Sequence, residues 1–108
     1  SYINLVRKAQ TKGYCVHLIF FWLETPELAM QRVAERVRNG GHNIPIEVIQ
    51  RRYVAGIRNL FNLFMPNVDL WMIYDNSRTP RTFVAKGGRL TDIEIALETT
   101  YNKIKSYV

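Results

Sequence analysis

From Cys15 to Leu23 the chain reads Cys-Val-His-Leu-Ile-Phe-Phe-Trp-Leu, apolar at nearly every position. Alternation would mark a strand with one wet face. A short unbroken apolar run marks a strand covered on both faces, as in a parallel sheet between helices. The run is far too short to cross a bilayer. Asp69–Asp75, Asp-Leu-Trp-Met-Ile-Tyr-Asp, repeats the pattern, and Thr82–Ala85 reads as a third, short strand.

The remaining segments follow a three-four spacing. Residues 2–12 form a short helix with Ile3, Val6 and Ala9 inward, ended by Gly13. Thr25-Pro26-Glu27 opens a second helix: a capping hydroxyl, proline at the first helical position, an acid in the first turn. It runs to about Arg38 with a stripe of Ala29, Met30, Val33, Ala34 and Val37. Asn39-Gly40-Gly41 stops it. A longer helix starts at Pro45, with Ile46, Ile49, Tyr53, Ile57, Leu60, Phe61 and Phe64 on one face, and ends at Pro66. Gly56 falls on that face, where it permits a close helix contact. Thr91-Asp92-Ile93-Glu94 is a capping box that predicts a last helix, with Ile93, Leu97, Tyr101 and Ile104 inward. The order is helix, strand, helix, helix, strand, short strand, helix. A strand, a helical crossover and a second apolar strand form a βαβ unit, so the fold class is α/β with parallel strands. Residues 1–108 are one domain or part of one.

Composition narrows the partners without choosing among them. The 108 residues carry a net charge of +6 with pI near 9.8, which admits nucleotides, nucleic acid or a membrane surface as anionic partners. The single cysteine, Cys15, excludes an intrachain disulfide and fits a reducing cytoplasm. One Cys and two His argue against a metal cluster.

Arginines are the main candidate chemistry. Arg32 and Arg36 are one turn apart at the border of the apolar stripe. Arg51 and Arg52 follow on the next helix, Arg52 beside Tyr53. If the helices fold back at Gly40-Gly41, Arg36 and Arg52 converge. Guanidinium forks match phosphate oxygens, so the pair reads as a phosphate clamp; a solvated basic face is the plainer reading, which spacing alone favours. His42, flanked by the glycines, reads as a general acid or, more simply, as a turn residue. His17, inside the strand, reads as a packed or hydrogen-bonded structural residue. Asp75, Asn76 and Ser77 sit where ligands collect in open α/β sheets, though turn chemistry explains them equally well. No GxxxxGK[ST] loop, Gly-rich dinucleotide loop, Ser-His-Asp order or metal-ligand set is present in these residues.

The block Arg32-Val33-x-x-Arg36-Val37-x-x-Gly40-Gly41-His42-x-Ile44-Pro45, followed by Arg52-Tyr53 and then Tyr74-Asp75-Asn76-Ser77, resembles the C-terminal part of the zeta-toxin-like P-loop kinases. The likeness covers nearly the whole chain. It implies a partial P-loop NTPase fold of the nucleoside-kinase kind, with residues 26–64 as a lid over ATP and the glycines as its hinge. It implies Arg36 and Arg52 as phosphate-contacting, catalytic residues, Arg32 and His42 behind them, and Asn76 and Ser77 on the adenine side. ATP and Mg2+ would be the cofactors, a small-molecule hydroxyl the acceptor (a UDP-amino sugar in zeta toxins), and an antitoxin protein a partner. The family's P-loop, its Lys and its acidic base belong upstream of Ser1. The stretch therefore reads as a piece of a longer protein, inactive alone and prone to self-association through an open sheet edge. No membrane role is expected. A basic α/β module that binds nucleic acid or protein without catalysis is the alternative; the spacing of Tyr53, Phe61 and Phe64 assigns them to a core and not to a stacking platform.

Overall fold

The computed structural model describes residues 2–108. Along the chain run α1 (Tyr2–Thr11), β1 (His17–Trp22), α2 (Pro26–Arg38), α3 (Ile46–Asn59), β2 (Leu70–Asp75), β3 (Thr82–Gly87), β4 (Glu94–Ile95) and α4 (Glu98–Lys105). A π-helical stretch, Leu60–Phe64, continues α3. The strands form one mixed sheet in the order β1-β2-β3-β4. β1 and β2 are parallel, in register from His17 opposite Leu70 to Trp22 opposite Asp75, and α2 and α3 make the crossover between them. The expected βαβ unit is therefore present. β3 turns back antiparallel beside β2, and β4 pairs antiparallel with β3.

Val6, Trp22, Ile57, Leu60, Val68, Trp71, Ile73, Tyr101 and Ile104 meet in one core, drawn from one face of the sheet and from α1, α3 and α4. Fully burying a side chain such as Ile73 stabilises the fold by roughly 1.5–3 kcal/mol. Between Ile73 and Tyr74 the β2–β3 register shifts, and Val84 is the extra residue. The bulge lets both Val84 and Ala85 be fully buried, which simple alternation forbids.

α2 begins as its sequence dictates. The Thr25 hydroxyl accepts the Leu28 amide at 3.1 Å, with Pro26 at the first position. It ends at Gly40, with φ +94°, and the Gly41 amide donates to the Arg36 carbonyl at 2.7 Å.

Four expectations are corrected. β1 is not covered on both faces: Leu18 and Phe20 turn toward the core, while Ile19 and Phe21 are 52% and 46% exposed. The cause is the face: α1, α3 and α4 cover one side of the sheet, and Ile19 and Phe21 point to the other. For the same reason His17 is exposed, not packed. Gly56 makes no close helix contact, as a Cβ there would meet nothing within 4 Å. The capping box does not open the last helix. Glu94–Ile95 instead pairs with Lys86 and Ala85, the Ala96 and Leu97 amides donate to the Val84 carbonyl, and α4 starts at Glu98 with Ile93 exposed. A strand edge satisfies more backbone groups than a single cap.

Asp69 fastens the end of the sheet away from these turns. Its buried carboxylate accepts the Val16 amide at 2.7 Å and Gln10 Nε2 at 3.2 Å, and pairs with Arg89. The Val16 amide first, then Arg89, hold its carboxyl below the usual carboxylate range. A depressed folded-state pKa stabilises the fold above the unfolded value of about 3.9, and that contribution is lost as pH falls through the lower folded value. Urea-unfolding midpoints should therefore drop across this acid window, and Asp69→Asn should flatten that part of the profile.

Candidate functional site

β1 and β2 end side by side at Trp22 and Asp75, and the Asn76 amide extends the ladder by donating to the Trp22 carbonyl at 2.8 Å. Over these carboxyl ends lies a cavity of about 490 Å³, walled by Phe21, Leu23, Ala29, Arg32, Val33, Glu35, Arg36, Asn39, Ile49 and Asn76. Its size suits a small molecule. A second cavity of about 270 Å³ shares Ala29, Val33, Arg36 and Ile49 with it and adds Ile44, Arg52 and Tyr53. The fold-back of α3 on α2 thus brings Arg36 and Arg52 to the walls of one cavity, as their spacing anticipated.

The other candidates separate. Arg32 lines the larger cavity, yet its Nη2 donates to the Asn76 carbonyl at 3.1 Å and the Ser77 carbonyl at 3.2 Å. It fastens α2 to the exit of β2. Ser77 works in the same joint: its Oγ accepts the Glu24 amide at 2.9 Å and its amide donates to Asp75 Oδ1 at 2.9 Å. Asn76 lines the cavity and Ser77 does not. His42 is exposed in the turn and lines neither arginine-walled cavity; its neighbours Asn43 and Ile44 line another, beside Glu27 and Met30.

Tyr53 fastens α3. Backbone polarity along β1 explains how. Val16 and Trp22 direct their carbonyls to β2, so His17, Ile19, Phe21 and Leu23 direct theirs to the free edge. The Tyr53 hydroxyl donates to the Leu23 carbonyl at 2.5 Å, and its ring meets Tyr107 edge-on at 5.4 Å. Burial first, then Tyr107, push the Tyr53 pKa well up. Tyr53→Phe should lower unfolding stability by about 1 kcal/mol, read by urea melts, because it leaves that carbonyl unpaired.

Four arginines are engaged elsewhere: besides Arg32, three hold other parts of the fold. Arg58 donates to the Tyr107 carbonyl at 3.1 Å, Arg78 pairs with Glu24 at 3.4 Å, and Arg89 pairs with Asp69. Arg36 and Arg52 have no ion pair or hydrogen bond among the described residues. Two unpaired like charges on one cavity wall favour an anion between them.

Sequence reasoning missed an aromatic row. Phe21, Tyr74 and Phe83 stand in sequence across β1, β2 and β3, with centroids 6.1 and 5.7 Å apart, and Arg81 lies 4.8 Å over the Phe21 ring. These residues come from three segments with no shared period, so only the sheet register assembles them. Tyr53, Phe61 and Phe64 do pack against the core, as their spacing predicts, whereas Phe21 is substantially exposed.

Fold and site together define an α/β chain with an arginine-walled cleft at the carboxyl ends of a parallel strand pair. The chain is similar to an uncharacterized protein of Haemophilus influenzae, 32% identical over 53 residues; the match covers 49% of this chain and 38% of that protein's length. No family model matches the chain, and no solved structure matches it. No helix among the described residues is long and apolar enough to cross a membrane.

Proposed function

We propose that the chain is the lid and C-terminal half of an ATP-dependent small-molecule kinase of the zeta-toxin type. The observation that carries this reading is the shared cavity of Arg36 and Arg52 beside the carboxyl ends of β1 and β2. There the two guanidinium groups would grip phosphate oxygens and oppose charge that develops on a transferring phosphoryl group. Asn76 on the neighbouring wall offers an amide to a base edge. Ser77 and Arg32 act one layer back, holding the joint between β2 and α2, and His42 is left at the rim.

The free edge of β1 also supports the reading. Cavities of about 160 and 360 Å³ follow it, sharing Phe20 and Gly56, and leave room for another strand between β1 and α3. A phosphate-binding strand and loop would fit that place. Among the described residues no group of three or more His, Cys, Asp or Glu side chains could hold a metal, so an accompanying Mg2+ would take its ligands elsewhere. The acceptor hydroxyl and any antitoxin partner belong to this same reading, through the resemblance alone.

The half-open aromatic row with Arg81 favours a second reading, a sheet face that stacks single-stranded nucleic acid. Titration of the complete protein separates the two. The kinase reading expects saturable ATP binding that an oligonucleotide does not displace. Steeply salt-dependent oligonucleotide binding, with no competition by ATP, would reverse the choice.

A further inference from the structure

We propose that Arg81, which lines neither arginine-walled cavity itself but lies over Phe21 on the wall of the larger one, is a third phosphate-binding arginine at the rim of this cleft; the inference rests on reading the cleft as a phosphate site. Phe21 is a wall of the larger cavity, together with Arg32, Arg36 and Asn76. The Arg81 guanidinium carbon lies 4.8 Å from the centre of that ring. A ring contact of this kind engages the flat face of a guanidinium and leaves its in-plane N–H donors free. Arg81 has no acidic partner and no hydrogen-bond acceptor among the described residues.

The segment that carries Arg81 is fastened at its start. The Asn76 amide donates to the Trp22 carbonyl, Ser77 Oγ accepts the Glu24 amide, and Arg78 pairs with Glu24. Glu24 is therefore occupied by Arg78. Glu35, on the cavity wall, is the one acid lining it, against Arg32 and Arg36 on the same wall. An arginine that is positioned beforehand loses less freedom on binding and so holds a phosphate more tightly. The ligand class is a phosphate group, from a nucleotide polyphosphate or from the backbone of a nucleic acid. The experiment distinguishes these sources.

Affinities for pyrophosphate, ATP and a single-stranded oligonucleotide would be measured on the complete protein and its variants, with a thermal melt of each. Arg81→Ala should weaken pyrophosphate and ATP by about tenfold without lowering the melt. Phe21→Leu keeps an apolar wall but removes the ring, and should weaken both by about threefold. Arg51→Ala should leave them unchanged, since Arg51 lines neither arginine-walled cavity; an equal loss there would reduce the effect to general charge and overturn the inference. Unchanged pyrophosphate and ATP affinity in Arg81→Ala, with a loss in Arg36→Ala, would overturn it while the kinase reading stands. A loss in Arg81→Ala with none in Arg36→Ala or Arg52→Ala would place the phosphate away from the cleft, and would overturn the inference and the lid reading together. A loss confined to the oligonucleotide, in Arg81→Ala and Arg36→Ala alike, would uphold Arg81 and assign its phosphate to a nucleic-acid backbone; no binding of pyrophosphate, ATP or oligonucleotide by the unaltered protein would overturn the inference.

Discussion

On the kinase reading proposed above, replacing Arg36 and Arg52 together by alanine should weaken ATP binding by the complete protein at least about a hundredfold while leaving its fold intact. The size follows from the hydrogen bonds at stake. A hydrogen bond to a charged group contributes about 1.5–3 kcal/mol, and about 1.4 kcal/mol is a factor of ten. Removing two such bonds at once exceeds two decades. The fold should survive because both side chains are exposed and make no ion pair or hydrogen bond among the described residues. Isothermal titration reads the affinity, and a thermal melt reads the fold. Each single variant should lose about tenfold or more. Arg51→Ala is the matched control: Arg51 is adjacent in sequence and lines neither arginine-walled cavity. Equal losses from Arg51→Ala and Arg52→Ala would show general charge, and the phosphate clamp would fail.

Gly88→Ala should be the most damaging single-methyl change, costing about 3 kcal/mol or more of unfolding free energy. Two effects combine. Gly88 has φ +127°, a conformation that side chains avoid at about 1–3 kcal/mol. Its added Cβ would also collide with the Asp69 carbonyl oxygen, and would lie 2.9 Å from the carbonyl carbon and 3.0 Å from Leu70 Cα. Those atoms are backbone at the mouth of β2, held between β1 and β3, and they have nowhere to move. For a domain of this size each kcal/mol shifts the melting temperature by about 4–8 °C. A melt lowered by less than about 5 °C would mean that the turn relaxes around the methyl. Gly56→Ala provides the contrast, since a Cβ there meets open space inside a helix and should stabilise.

Much of the fold was legible because local rules and tertiary demands agree. The apolar runs of β1 and β2 with two helical patterns between them predict a parallel pair, and that pair is present. Thr25-Pro26 marks the start of α2 to the residue. Where the rules competed, context decided. Thr91–Glu94 satisfies a capping box, yet β3 offered Glu94 and Ile95 a backbone partner that the local sequence does not reveal. His17 looks buried in an apolar run, but it points to the sheet face opposite the core, and which face is covered is a property of the assembled sheet.

The site follows the same division. Arg36 and Arg52 could be paired in advance because only a short glycine-led loop separates their helices. The ties of Arg32 to Asn76 and Ser77 could not, since they join residues far apart in sequence through backbone carbonyls that carry no residue signature. Arg81 was hidden for a similar reason: only register sets it over Phe21.

Arg32 fastens α2 to the exit of β2, and Tyr53 fastens α3 to the end of β1. With both arms tied to the sheet, the two cationic heads face a common cavity before any ligand arrives. On the phosphate-clamp reading proposed above, a captured anion would bridge the two heads and stabilise the folded protein. Thermal stability then becomes a gauge of occupancy. A ligand at one hundred times its dissociation constant stabilises by about 2.7 kcal/mol, enough to be seen as a higher melting point before any reaction product is identified.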